Sequence, residues 1–497
     1  MSLLTNYREV LNTPARRRIL LALASSYLLV QVASFPVALS LPSIADDFNI
    51  DIATAAWVLI AELLALGATV YLAAKLGEKY GHNRAFFLGT VVTTLGAAAA
   101  GFSQDFTQLI VFRGIQGIGA AFVTGNANAI LAGAFAPGER GRAFAIPITA
   151  ARAGTFIGLI IFAIFLQFIG WRAIFFSFIP LGLVAIWTAL PLLRLKEDRE
   201  AASDVPLDLG GAFLFIGAIG ALILSGLHIH SGEESFTSDS AIAYHLPMNL
   251  LFLALLTAFI LFERRRQDPF VDLRLFRNRY FSFALFSNTT FHLSMLAIMT
   301  LVPILVEEGF GYGPLLVIYV LLPHQSMGLF IPMIAGWYYD KYQPRLMRPV
   351  ALSLIALGIF LLGVFSLRVP FWFIPLLLFP ASVGTAIFNT INNTVIMNSL
   401  PQEHRGFASG MIETTRQVGH TLGATIAASA LGLVLPAGIA LLSDAESRDF
   451  YLRGFQAAAL VVVWVILAGA VVAFKRRPAQ TVESAPTPQP SGSGDGA

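Results

Sequence analysis

The sequence predicts an all-α polytopic membrane protein: about fourteen transmembrane helices, arranged as two six-helix bundles related by a pseudo-twofold repeat, plus two inserted helices. Three observations carry this expectation. The 497 residues are 56% hydrophobic and 12% charged, with 41 Phe and a mean hydropathy of +0.73, whereas a soluble domain is about 45–50% apolar and about 25% charged. The apolar residues gather into runs of about 20, the length that crosses a bilayer. Two charged loop motifs recur at nearly one spacing. The composition excludes a soluble enzyme, a disordered chain and a nucleic-acid-binding chain. With no cysteine, disulfides, thiolate metal sites and a cysteine nucleophile are excluded as well.

The runs centre near residues 30, 66, 94, 120, 154 and 182 for spans 1–6, near 218 and 254 for spans 7 and 8, and near 294, 326, 358, 384, 420 and 463 for spans 9–14. The first, Ile19 to Leu41, follows Arg16-Arg17-Arg18 but exceeds the ~7–15-residue core of a signal peptide, so it reads as a retained helix. The tail 478–497 is rich in Pro, Ser and Gly and reads as disordered. Basic residues stay cytoplasmic. Placing the N-terminus inside puts 25 of the 32 Lys and Arg in inner segments. The outer loop Ile229–Ala243 then carries Glu233, Glu234 and Asp239 with no Lys or Arg. The sequence pI near 9.1 is on this reading a topology signal. It implies a multi-pass protein of the cell (inner) membrane with both termini cytoplasmic.

Leu76-Gly77-Glu78-Lys79-Tyr80 is echoed by Tyr338-Tyr339-Asp340-Lys341-Tyr342, and Pro137-Gly138-Glu139-Arg140-Gly141-Arg142-Ala143 by Pro401-Gln402-Glu403-His404-Arg405-Gly406-Phe407-Ala408. The offsets are 262 and 264. Two matches at nearly one offset imply duplicated halves around a central path, a transporter architecture with its site near the midplane. The expected organisation is a bundle over 14–200, an inserted pair over 201–270 and a bundle over 271–477. The inserted spans, uniformly apolar in their middles, are expected at the periphery and outside the cavity.

These motifs resemble the major facilitator superfamily, most closely its fourteen-span drug:proton antiporter branch. Ala74 to Arg84 is similar to the family's loop after span 2, and keeps a Leu, an acid, a base, Gly81 and a terminal Arg. The span-4 motif stands intact as Arg113-Gly114-Ile115-Gln116-Gly117-Ile118-Gly119. Trp171-Arg172 with Pro180-Leu181-Gly182, and Asp268 to Asn278, match further segments of the branch. The resemblance implies that Arg113 acts near coupling. It also implies that Glu78, with Arg84, and Asp340, with Arg345, gate the cytoplasmic side by latching onto a neighbouring helix end. Gln343-Pro344 interrupts the second copy, so Glu78 is expected to be the stronger latch. Two departures bear on coupling. The branch's span-1 Asp is Ala33 here, and its span-5 Gly-Pro-x-x-Gly-Gly reads Gly154-Thr155-Phe156-Ile157-Gly158-Leu159.

Ionisable groups inside hydrocarbon are costly and usually line a cavity with a partner. Glu62, Arg113 and Arg152 are expected at one level of the first half. Glu62 either forms a structural bridge to one of the arginines or serves substrate binding and coupling. Glu413, Arg416 and His420 follow i, i+3, i+7 spacing and share a helix face. Glu413 has Arg416 as a fixed local partner, whereas Glu62 competes for arginines on other helices, which favours Glu62 as the proton carrier. His292, His324, Asn126, Asn128, Asn389 and Asn392 complete the polar residues expected at the substrate cavity. Helix–helix hydrogen bonding explains them equally well.

The sequence has no catalytic set, metal-ligand spacing, cofactor motif or nucleotide-binding loop. The leading expectation is a monomeric secondary transporter that exports an amphipathic small molecule by alternating access, with protons and the bilayer as its other partners. The alternatives are a transporter not coupled to protons and a transport-inactive scaffold or sensor that kept the fold.

Overall fold

The computed structural model describes residues 3–33, 37, 40–50, 52–195, 208–227, 239–436 and 443–474. The tail 478–497, Glu233 and Glu234 of the acidic loop, and the boundary near residue 200 lie outside the described residues. Among those described, every regular element is helical.

Fourteen long helices follow in order: α1 (Pro14–Ala33), α2 (Trp57–Tyr80), α3 (His82–Gly101), α4 (Phe106–Ala134), α5 (Arg140–Phe168), α6 (Arg172–Ala189), α7 (Leu209–Leu227) and α8 (Asp239–Glu263). Then come α9 (Arg279–Ile304), α10 in two pieces (Pro314–Ser326 and Ile331–Tyr342), α11 (Met347–Phe365), α12 (Phe379–Met397), α13 (Arg405–Gly432) and α14 (Asp444–Ala473). A short helix, Leu3–Val10, precedes them. Twelve of the described helices are long and apolar enough to cross a membrane. The other two long ones, α1 and α13, miss by composition: α1 opens on three consecutive arginines, and α13 carries Glu413, Arg416 and His420.

Two breaks in the helices lie beside prolines. Pro323 lies inside the first piece of α10, which ends in a 3₁₀ turn, Met327–Leu329. Pro303 lies just before the π-helical turn Leu305–Gly309 that closes α9. Proline removes a helical hydrogen bond and crowds the preceding turn.

The packing repeats. α1 lies against α5 and α6, α2 against α4, and α3 against α4 and α6. In the second set α9 lies against α13 and α14, α10 against α12, and α11 against α12 and α14. The same pairings recur eight helices later. The two sets meet where α2 packs on α13 and α5 on α10, again a pair related by the repeat.

The inserted helices differ from each other. Only 6% of the apolar stretch of α8 is buried, against 61% for α7. Contrary to the expectation for span 7, α7 packs on both α2 and α13, and its Gly226 lines the central cavity. A Cβ on Gly226 would meet Thr421 and Thr425, so the missing side chain is what lets the backbones close. An apolar middle does not reveal this, because the spaces between helices are as apolar as lipid. The following segment is fixed by Phe270, which is buried at 1% exposure against Tyr71 and Phe215, and by the Tyr71 hydroxyl donating to the Phe270 carbonyl at 3.1 Å.

Candidate functional site

The recurring loop motifs come together on one face of the molecule. Asp340, at the end of α10, accepts from the backbone N–H groups of Gly141 and Arg142 at 2.8 and 2.9 Å, and from Arg142 Nε at 3.2 Å. Gly141 and Arg142 open α5, so the carboxylate sits on a helix N-terminus, where unsatisfied N–H groups and the helix dipole favour an anion. Glu78, at the end of α2, packs against Gly406 at the start of α13 and pairs with Lys75 at 2.9 Å. The two acids therefore occupy equivalent places.

The bonds across the halves fall to the second copy of the motif. Asp340 has three hydrogen bonds across the halves and is 3% exposed, while the ion pair of Glu78 lies within its own helix. Gln343 explains why the interrupted motif still closes: it takes the left-handed conformation (φ 44°) and caps α10, as a glycine usually would. Arg84 and Arg345, expected in the gate, are exposed on this face. Sequence reasoning missed Arg140, whose guanidinium donates to the carbonyls of Ala132, Phe135 and Met397 and to Asn398 Oδ1. The motif containing it had served only to reveal the repeat.

Between the two sets of helices lies a cavity of about 820 Å³, within the range of ~300–1,000 Å³ typical of small-molecule sites. Its lining reaches Leu41, Ala56, Glu307 and Leu431, at helix ends opposite the latched face. Glu62, Asn128, Arg152, His292, Asn389, Glu413, Arg416 and His420 all line it.

Arg113 is fully buried behind Glu62 and pairs with it. Its other donors reach the carbonyls of Val58 and Ala33, at 2.9 and 3.2 Å, and Gln116 Oε1 at 2.8 Å. Glu413 pairs with Arg416 at 2.6 Å and accepts from Asn128 Nδ2 of the other half at 3.4 Å. Arg152 reaches across the halves instead, donating to Gln325 Oε1 at 3.0 Å and lying 3.3 Å from Met295 Sδ. His292 Nδ1 and His420 Nε2 share a hydrogen bond of 3.2 Å.

Three residues expected at the cavity stand outside its lining. Asn126 braces the α2–α3 turn, donating to the Ala73 carbonyl and bonding His82 at 2.8 Å. His324 bonds Ser382 at 2.8 Å. Asn392 ties α12 to α9 through the Ala284 carbonyl and Asn288. In each case the polar group satisfies another helix, the alternative that intramembrane amides and imidazoles always carry.

An all-helical bundle with an internal repeat around a central cavity is the architecture of a membrane transporter. The profile of the Major Facilitator Superfamily matches residues 21–424, and the chain belongs to that family. It is 26% identical over 384 residues to the riboflavin transporter RibZ of Clostridioides difficile, a match covering 77% of this chain and 81% of that one. It is 28% identical over 428 residues to the tetracenomycin C resistance and export protein of Streptomyces glaucescens, covering 84% and 77%. Among solved structures, the human organic anion transporter MFSD10 superposes with a TM-score of 0.61 at 16% identity, over 93% of this chain and all of that one. That likeness is one of fold.

Proposed function

We propose that the protein is a proton-coupled exporter of amphipathic small molecules that works by alternating access, as a monomer in the cell membrane. The observation that carries this reading is the central cavity, which stands open away from a face where Asp340 bonds to the start of α5 and Glu78 packs, at the repeat-related place, on the start of α13. Relatives with names that specify drug resistance and export support the outward direction.

On this reading all fourteen helices cross the membrane, including α1 and α13. The bundles 14–200 and 271–477 rock about the cavity, with the pair 201–270 between them, and the latched face is cytoplasmic, a reading supported by the distribution of basic residues. Glu62 is the proton-exchanging carboxylate: it borders the cavity and can leave Arg113, whose three other acceptors retain the guanidinium. Glu413 is the second reading, favoured by its bond to Asn128, because a contact across the halves changes as they rock.

The test is uptake of an exported dye into everted vesicles with and without a proton gradient. Glu62→Gln should abolish gradient-driven accumulation while dye binding persists. Unchanged accumulation in that variant, with loss in Glu413→Gln, transfers the role to Glu413. Accumulation indifferent to the gradient in the unmodified protein would overturn proton coupling.

A further inference from the structure

Arg152 and Arg416 occupy matching depths on repeat-related helices. Arg152 lies eleven residues beyond Gly141 and Arg416 ten beyond Gly406, which is about 16 and about 15 Å along the two axes. Both line the cavity, as does the His292–His420 pair. Their neutralisation differs. Arg416 has Glu413 one turn away. Among the described residues Arg152 has no carboxylate partner: one donor meets an amide oxygen, another a thioether. A guanidinium carries five N–H donors in a planar fork, so most of the Arg152 fork is uncommitted toward the cavity among the described residues. The remaining acids of the lining do not supply a partner. Glu62 is paired with Arg113, and Glu307 lies twelve residues beyond Met295 on the same helical stretch, about 18 Å toward the mouth.

A guanidinium facing a membrane cavity without a carboxylate beside it marks a substrate pathway. We infer that the missing counter-charge is the substrate's: the cavity takes amphipathic molecules bearing a carboxylate, which docks on the fork of Arg152 while the apolar body lies along Met295, Met299 and Leu66. The inference deepens the proposed export function and rests on it for direction, but not for binding.

Two xanthene dyes of similar frame and opposite charge, anionic fluorescein and cationic rhodamine 6G, provide the probes. Binding is read by fluorescence anisotropy on the purified full-length protein in lipid nanodiscs, separately from transport. Fluorescein should bind at least about tenfold more tightly than rhodamine 6G, the factor expected of one charge-assisted contact. Arg152→Gln should remove that preference, and Arg152→Lys, which keeps charge but not the fork, should retain part of it. Equal loss of both dyes in Arg152→Gln, a preference for rhodamine 6G, or no fluorescein binding would overturn the inference. Anisotropy showing the anion preference alongside vesicles that do not move fluorescein would leave the inference standing and sink export instead.

Discussion

Arg113 uses its guanidinium on four acceptors at once, and only one of them is charged. Removing it would leave Glu62 buried without its counter-ion, which costs about 3–5 kcal/mol. Arg113→Ala should therefore lower the thermal unfolding midpoint sharply, and adding Glu62→Gln should restore most of the loss. Failure of the double variant to recover would locate the stability of Arg113 in its carbonyl bonds. Glu62 and Arg113 were legible in the sequence, because an acid and a base within separate apolar runs need each other. The contact of Arg113 with the Ala33 carbonyl was not legible, although Ala33 stands where the family places an acid. Backbone acceptors carry no sequence signal. The partners of Arg152 were equally hidden, since Gln325 and Met295 are uncharged and 173 and 143 residues away.

At the scale of elements, α5 and α10 meet through Gly141 and Gly336, where a Cβ on either would strike the other helix. Gly336→Val should force the latched face apart. Spin labels on cysteines introduced at the exposed positions 84 and 345 would report this as a longer, broader distance. The same pair should move more in Asp340→Asn than in Glu78→Gln, following the hydrogen bonds each acid makes; the reverse order would restore the ranking that the motif implied. The periodic apolar runs made most helices legible in order and approximate position. They did not separate α7 from α8, since lipid and a neighbouring helix demand the same residues of a helix face. Small residues such as Gly226 were the available signal of close approach.

For the whole molecule, the absence of cysteine makes chemical access measurable at single introduced sites. Cysteine at Met299, on the cavity wall, should react with a charged thiol reagent added on the side opposite the latches, and substrate should protect it. Cysteine at Gly217 should not react, because that position faces Leu255 of α8. Labelling at 217 from water would mean that an aqueous path extends along α7 beyond Gly226, the residue of that helix that lines the cavity. The duplicated architecture was legible from two loop motifs; the direction in which the cavity opens was not, because both states share one sequence. Duplication also sets the odds of opening. The latched face separates only when the Asp340 bonds to α5 and the repeat-related packing of Glu78 on Gly406 give way in the same instant. For independent clasps those probabilities multiply, so their free energies add. A modest clasp copied once thus becomes a steep gate: spontaneous leakage is the product of two rare events, and a ligand that loosens both gains the product of its two effects.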